Sequence, residues 1–140
     1  MVCTGNIIRS AALGILLQHR RPDLEVESAG VGVNAKNGLT MRKRMRGLMH
    51  QAGYGIQADA HRSRRWDSLR GTADLAVGVA PVHMKRLAEI APGVKAIMTP
   101  EPIFDPIFGA DESYLLAWEM ITEAADWLAS EIPDAGQERG

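Results

Sequence analysis

Cys3, the chain's only cysteine, stands six positions ahead of Arg9, and Ser10 follows directly. An ionised thiol is a strong nucleophile, and a guanidinium fork matches two oxygens of a tetrahedral anion. The stretch between them is long enough to wrap one phosphate in backbone N–H groups while sulfur faces phosphorus. Gly5 and Asn6 are the residue types that most readily take the positive backbone angles such a loop needs. Ser10 is placed to cap a following helix and to donate a hydrogen bond to sulfur. The apolar run 11–17 predicts that helix, whose N-terminus favours both a thiolate and a phosphate dianion. A lone cysteine is otherwise a small buried hydrophobe, so Gly5-Asn6 and Arg9-Ser10 carry the chemical reading.

Asp105-Pro106 offers a carboxylate on a restricted backbone. By itself an Asp-Pro pair is a common turn signal. In company with the cysteine loop it is a candidate general acid, able to protonate a leaving oxygen and then activate water.

Val2-Cys3-Thr4-Gly5-Asn6-Ile7-Ile8-Arg9-Ser10 resembles the signature of the low-molecular-weight protein tyrosine phosphatases. Ser28-Ala29-Gly30, His61-Arg62-Ser63-Arg64 and Asp105-Pro106-Ile107-Phe108-Gly109 resemble three further segments of that family, in family order. The resemblance implies a phosphotyrosine protein phosphatase I-like fold and a metal-independent phosphomonoester hydrolase that needs no cofactor. Its substrate would be phosphotyrosine in a phosphorylated protein, or a related small aryl phosphate. Cys3 would form a phosphocysteine intermediate, Arg9 would hold two equatorial oxygens, and Asp105 would act as acid and base. Thr4, Gly5, Asn6, Ile7, Ile8 and Ser10 would complete the phosphate loop. His61 would hydrogen-bond the Asn6 side chain, with Ser28 in the same network.

The mouth of the pocket departs from the family pattern. The aromatic residues that stack on phosphotyrosine are replaced by Asn34 in the segment 31–37 and by Ile107 and Phe108. An apolar wall remains without a stacking pair, so a lower affinity for phosphotyrosine or a preference for another ester is expected. Lys36 could draw an anionic substrate. Ile8 occupies the place of a second family cysteine, which removes a protective disulfide with Cys3. A thioredoxin-coupled arsenate reductase on this scaffold would need cysteines that the chain lacks.

At 140 residues, 46% hydrophobic and 24% charged, the chain fits one globular domain, expected over 1–132 with a flexible tail at 133–140. No apolar run approaches the roughly 20 residues of a membrane span, and no charged leader opens the sequence. A single cysteine suits a reducing compartment, so a cytoplasmic protein is expected.

The elements that must position the site follow from periodicity and breakers. Helices are predicted at 11–20, 40–51, 82–90 and 112–132, and strands at 25–28, 75–79 and 94–98, the last two buried. This alternation predicts an α/β fold: a short parallel sheet of about four strands with helices on both faces. Only Met1 and Val2 precede Cys3, so the first strand, expected to be central, is nearly absent from the sequence, and a translation start upstream is the expectation that follows.

His19, His50 and His83 carry no pattern and are expected to be solvated or structural. Trp66, Trp118 and Trp127 read as packing residues. The net charge of −1 conceals polarity: Arg42, Lys43, Arg44, Arg46, Arg62, Arg64 and Arg65 cluster in one region, while Glu112, Glu119, Glu123, Asp126 and Glu131 line the last helix. Intramolecular complementarity explains this most simply. A docking surface for an acidic phosphoprotein segment is the other reading, and nucleic acid is not expected because stacking aromatics are absent there. The alternative to an enzyme is a catalytically weak phosphate- or phosphoprotein-binding module on the same scaffold.

Overall fold

A computed structural model of the protein describes residues 1–69 and 73–134. Residues 135–140, most of the expected tail, lie outside the described residues.

Four parallel strands form the sheet in the order β2-β1-β3-β4: β1 (Val2–Cys3), β2 (Ala29–Gly30), β3 (Ala76–Gly78) and β4 (Ala96–Met98). The first strand is thus central, as expected. Val2 pairs with Ala29 on one side and Gly78 on the other. The pairing extends past the strand, since Ala29 N donates to Met1 O and the Met1 ammonium to Glu27 O.

The helices are α1 (Arg9–Arg20), α2 (Lys43–Gln51), α3 (Gly55–Ala60), α4 (Pro81–Ile90) and α5 (Asp111–Glu131), with a short 3-10 turn at Trp66–Ser68. Alternation along each strand divides the core. Val2, Ala29 and Ala76 face a smaller cluster that includes Leu87 of α4, whereas Cys3 and Val77 face the main core with α1, α2 and α5. Helices therefore cover both faces.

Several boundaries differ from the sequence expectations. The strand expected at 25–28 begins later, at Ala29. Residues 40–42 are not helical: Thr40 bridges Arg62, and Arg42 N donates to Ile7 O at 3.0 Å, tying the start of α2 to the loop. Met41, Met45 and Met49, four residues apart, bury this segment. The strand β4, expected to be buried, is half-buried at one edge of the sheet. On α5 the buried stripe is Tyr114, Ala117, Ile121, Ala124, Ala125 and Leu128, which turns Leu115, Leu116 and Trp127 toward solvent. Among the described residues, no helix is long and apolar enough to cross a membrane.

Candidate active site

The segment between β1 and α1 closes on Cys3. Asn6 N donates to Cys3 Sγ at 3.3 Å, and Ser10 Oγ lies 2.9 Å from the same sulfur. Ser10 Oγ already accepts a 2.9 Å bond from Asn6 Nδ2, so its own proton is free for sulfur. Ser10 does not cap the helix; α1 begins at Arg9 without a side-chain cap, and Ser10 in its first turn serves the thiol instead.

Asn6 alone among the loop residues takes the left-handed conformation, at φ 61°, while Gly5 does not. Asparagine tolerates that region because its short amide bonds locally, and here the amide is bonded on both sides. Its Nδ2 donates to Ser10, and its Oδ1 accepts from Arg64 N at 2.9 Å. His61 supports the same turn through a different atom from the one expected: Nε2 donates to the Asn6 main-chain carbonyl at 2.7 Å. Burial lowers the His61 pKa, with Arg64 and Arg62 acting in the same sense. Ser28 lies outside this hydrogen-bond set, on the wall of a 320 Å³ cavity that it shares with His61 and Arg64.

The segment that continues β2 holds the loop from below. Val31 N donates to Cys3 O and Gly32 N to Thr4 O, at 2.9 and 3.0 Å. The approach is close enough that a Cβ on Gly30 would stand 2.9 Å from Thr4 O, which accounts for glycine there.

Arg9 is buried and fixed by the loop before α5. Its NH1 donates to Ile103 O at 3.1 Å, and its NH2 meets Asp105 Oδ2 at 3.3 Å. Asp105 Oδ1 accepts from Ile107 N. Nucleophile, guanidinium and carboxylate, 102 residues apart at the extremes of the sequence numbering, thus share one end of the sheet. Ile8 is buried and Ile7 half-buried, both packed in the main core.

The expected pocket wall is uneven. Ile107 is half-buried against the core, Phe108 is 96% exposed, and Asn34 is exposed. Lys36 is exposed as well. His83, expected to be solvated or structural, takes the second course, and its contact with the loop was not foreseen. It is buried beneath the loop, with Nε2 3.0 Å from Thr4 Oγ1. The only signal was Pro81 at the start of α4, which places His83 in that helix's first turn. Among the described residues, no group of three or more His, Cys, Asp or Glu could hold a metal ion.

The family described as low molecular weight phosphotyrosine protein phosphatase matches residues 1–134. The chain belongs to that family. It is 35% identical over 95 residues to the low molecular weight protein-tyrosine-phosphatase Wzb of Escherichia coli K12, a stretch covering 68% of this chain and 63% of that relative, so the match spans less than two thirds of Wzb. The structure superposes on Vibrio vulnificus Wzb in complex with benzylphosphonate with a TM-score of 0.84, at 26% identity over 94% of this chain and 95% of that one. It also resembles the YwlE arginine phosphatase of Geobacillus stearothermophilus, with a TM-score of 0.80 and 28% identity over 93% and 88% of the two chains.

Proposed function

We propose that the protein is a cysteine-dependent phosphomonoester hydrolase acting on phosphotyrosine in proteins or on a related aryl phosphate. What carries this reading is a loop whose main chain and Ser10 serve the Cys3 sulfur and whose Arg9 pairs with Asp105 of the segment before α5. Cys3 attacks phosphorus in line, and the ester oxygen leaves with a proton from Asp105. Arg9 and the loop N–H groups stabilise the charge spread over the transferring phosphoryl group. Asp105 then deprotonates the water that attacks phosphorus; the S–P bond breaks and Cys3 is released as thiolate.

Ile107 and the exposed Phe108 favour an apolar aryl group over the phosphate, and a benzylphosphonate complex of a family relative is in keeping with that choice. The cytoplasm is the compartment we assign, on the strength of the single reduced thiol. An acidic phosphoprotein segment is the macromolecular substrate we favour. That docking surface is reduced by internal pairing, since Arg44 meets Asp111 at 3.2 Å and Arg65 meets Asp67 at 3.1 Å, but Arg42 and Lys43 remain exposed.

The test is hydrolysis of a simple aryl phosphate by the wild type beside Cys3→Ser and Asp105→Asn, without added metal. Turnover should vanish with Cys3→Ser and fall about 10²- to 10⁴-fold with Asp105→Asn. Phosphate binding without turnover by the wild type would instead identify a recognition module.

A further inference from the structure

Thr4, the residue after the nucleophile, is exposed at the rim of the loop, yet its hydroxyl is engaged from beneath by a residue 79 positions away. That residue, His83, is 1% exposed, and its second ring nitrogen, Nδ1, is buried without a hydrogen-bond partner among the described residues. An orphaned N–H in a dry site is rarer and costlier than an unfilled lone pair. Nδ1 therefore carries the lone pair and Nε2 the proton. The Nε2–H then donates to Thr4 Oγ1 at 3.0 Å, which leaves the Thr4 proton unused by the pair. Burial and the nearby Arg9 guanidinium both oppose protonation of the ring, against a weaker pull from Asp105, and bring its pKa to about 4. A neutral imidazole in one tautomer is thus built under the loop, and the proposed reaction gives it no task.

We propose that His83 is a positioning residue acting through Thr4: it donates to the Thr4 hydroxyl, fixes that side chain at the rim, and leaves the hydroxyl proton for an oxygen of the bound phosphoryl group. This rests on the reading of the loop as a phosphate site. His83 itself transfers no proton, and the pair adds one aimed donor to those of the main chain. A neutral ring performs this better than a charged one, because an imidazolium beside Arg9 would place two cations at one wall.

The experiment is a double-mutant cycle on the full chain: Thr4→Val, His83→Phe and both together, with His83→Gln as the conservative variant. Affinity for inorganic phosphate is measured for each, together with KM and kcat on an aryl phosphate. Nitrogen NMR of the wild-type ring reports the tautomer with and without phosphate. Each single change should weaken phosphate binding about tenfold, the double variant should be no worse than either, and His83→Gln should recover most of the loss. The ring should show the proton on Nε2 and shift on addition of phosphate. Additive losses, unchanged affinity in Thr4→Val, or a proton on Nδ1 would each overturn the proposal. Thr4→Val and the wild-type spectrum decide it even where His83→Phe does not fold. Coupling across the cycle with no ester hydrolysis by the wild type sinks the hydrolase reading alone, and wild-type turnover without coupling sinks this proposal alone.

Discussion

Asn6 and Phe108, floor and mouth of the proposed site, are held in opposite ways. Asn6 is fully buried, strained to a positive φ, and bonded through its amide, its N–H and its carbonyl to Ser10, Arg64, Cys3 and His61. Phe108 is almost wholly in solvent, on the loop that follows Pro106. Strain persists only where the surroundings over-determine it, and the groups that do so here come from α1, from the segment after α3, and from β1 itself. The floor of the site is therefore fixed by many partners, while the mouth is left to side chains that can change at little cost to the fold. In the proposed site chemistry and selectivity are separated in space, in keeping with structural relatives that carry the names of tyrosine and arginine phosphatases alike.

Asn6→Ala would break the floor most severely. It strips the side chain that bonds Ser10 and Arg64 N while keeping an L-residue at positive φ, so stability should fall by about 2–4 kcal/mol, read from the denaturant midpoint. Turnover should fall with it by about 100-fold, since Ser10 and the sulfur lose their alignment.

Acid tests the same floor more gently. His83 binds a proton near pH 4 in the folded protein and near 6.5 when unfolded, so between those values the unfolded chain holds more protons. Stability should be full above about pH 6.5 and should fall as pH drops through that window, by on the order of 3 kcal/mol for His83. The depressed pKa of His61 acts in the same direction. Equilibrium unfolding across pH, in wild type and His83→Gln, measures the slope; a wild type with no loss between pH 6.5 and 4 would contradict the buried neutral ring.

The mouth should respond in the opposite manner. Phe108→Ala removes a side chain that packs against little, so stability should stay within about 0.5 kcal/mol. KM for an aryl phosphate should rise severalfold with kcat preserved, as steady-state kinetics would show. A loss of stability comparable to that of Asn6→Ala would erase the contrast between floor and mouth.

The floor was legible in the sequence to the extent that its contacts are local. Cys3, Asn6, Arg9 and Ser10 fall within eight residues, so their types and spacing are read together, although His61 and Arg64 complete the turn from a distance. Asp105 was legible only in company with that loop. What the sequence concealed depends on long-range geometry. His83 meets the loop through a partner 79 positions away, and the atom of Asn6 that His61 would choose could not be read from residue types. In the fold, strands of two or three residues leave no alternation to detect, so β2 was misplaced and α3, opened by Gly55 and only six residues long, went unseen. On α5 the apolar residues outnumber the buried ones, so which of them face inward is settled only by packing against α1, which leaves Leu115 and Leu116 exposed.

The central claim is that Cys3 carries the phosphoryl group. Its most direct measurement is the intact mass of the protein quenched with acid during turnover of an aryl phosphate, compared with Cys3→Ser under the same conditions. The account predicts a wild-type species heavier by one phosphoryl group, mapped to the peptide holding Cys3 and absent from Cys3→Ser. Hydrolysis at full rate by Cys3→Ser, or a phosphoryl group mapped to another residue, would contradict it.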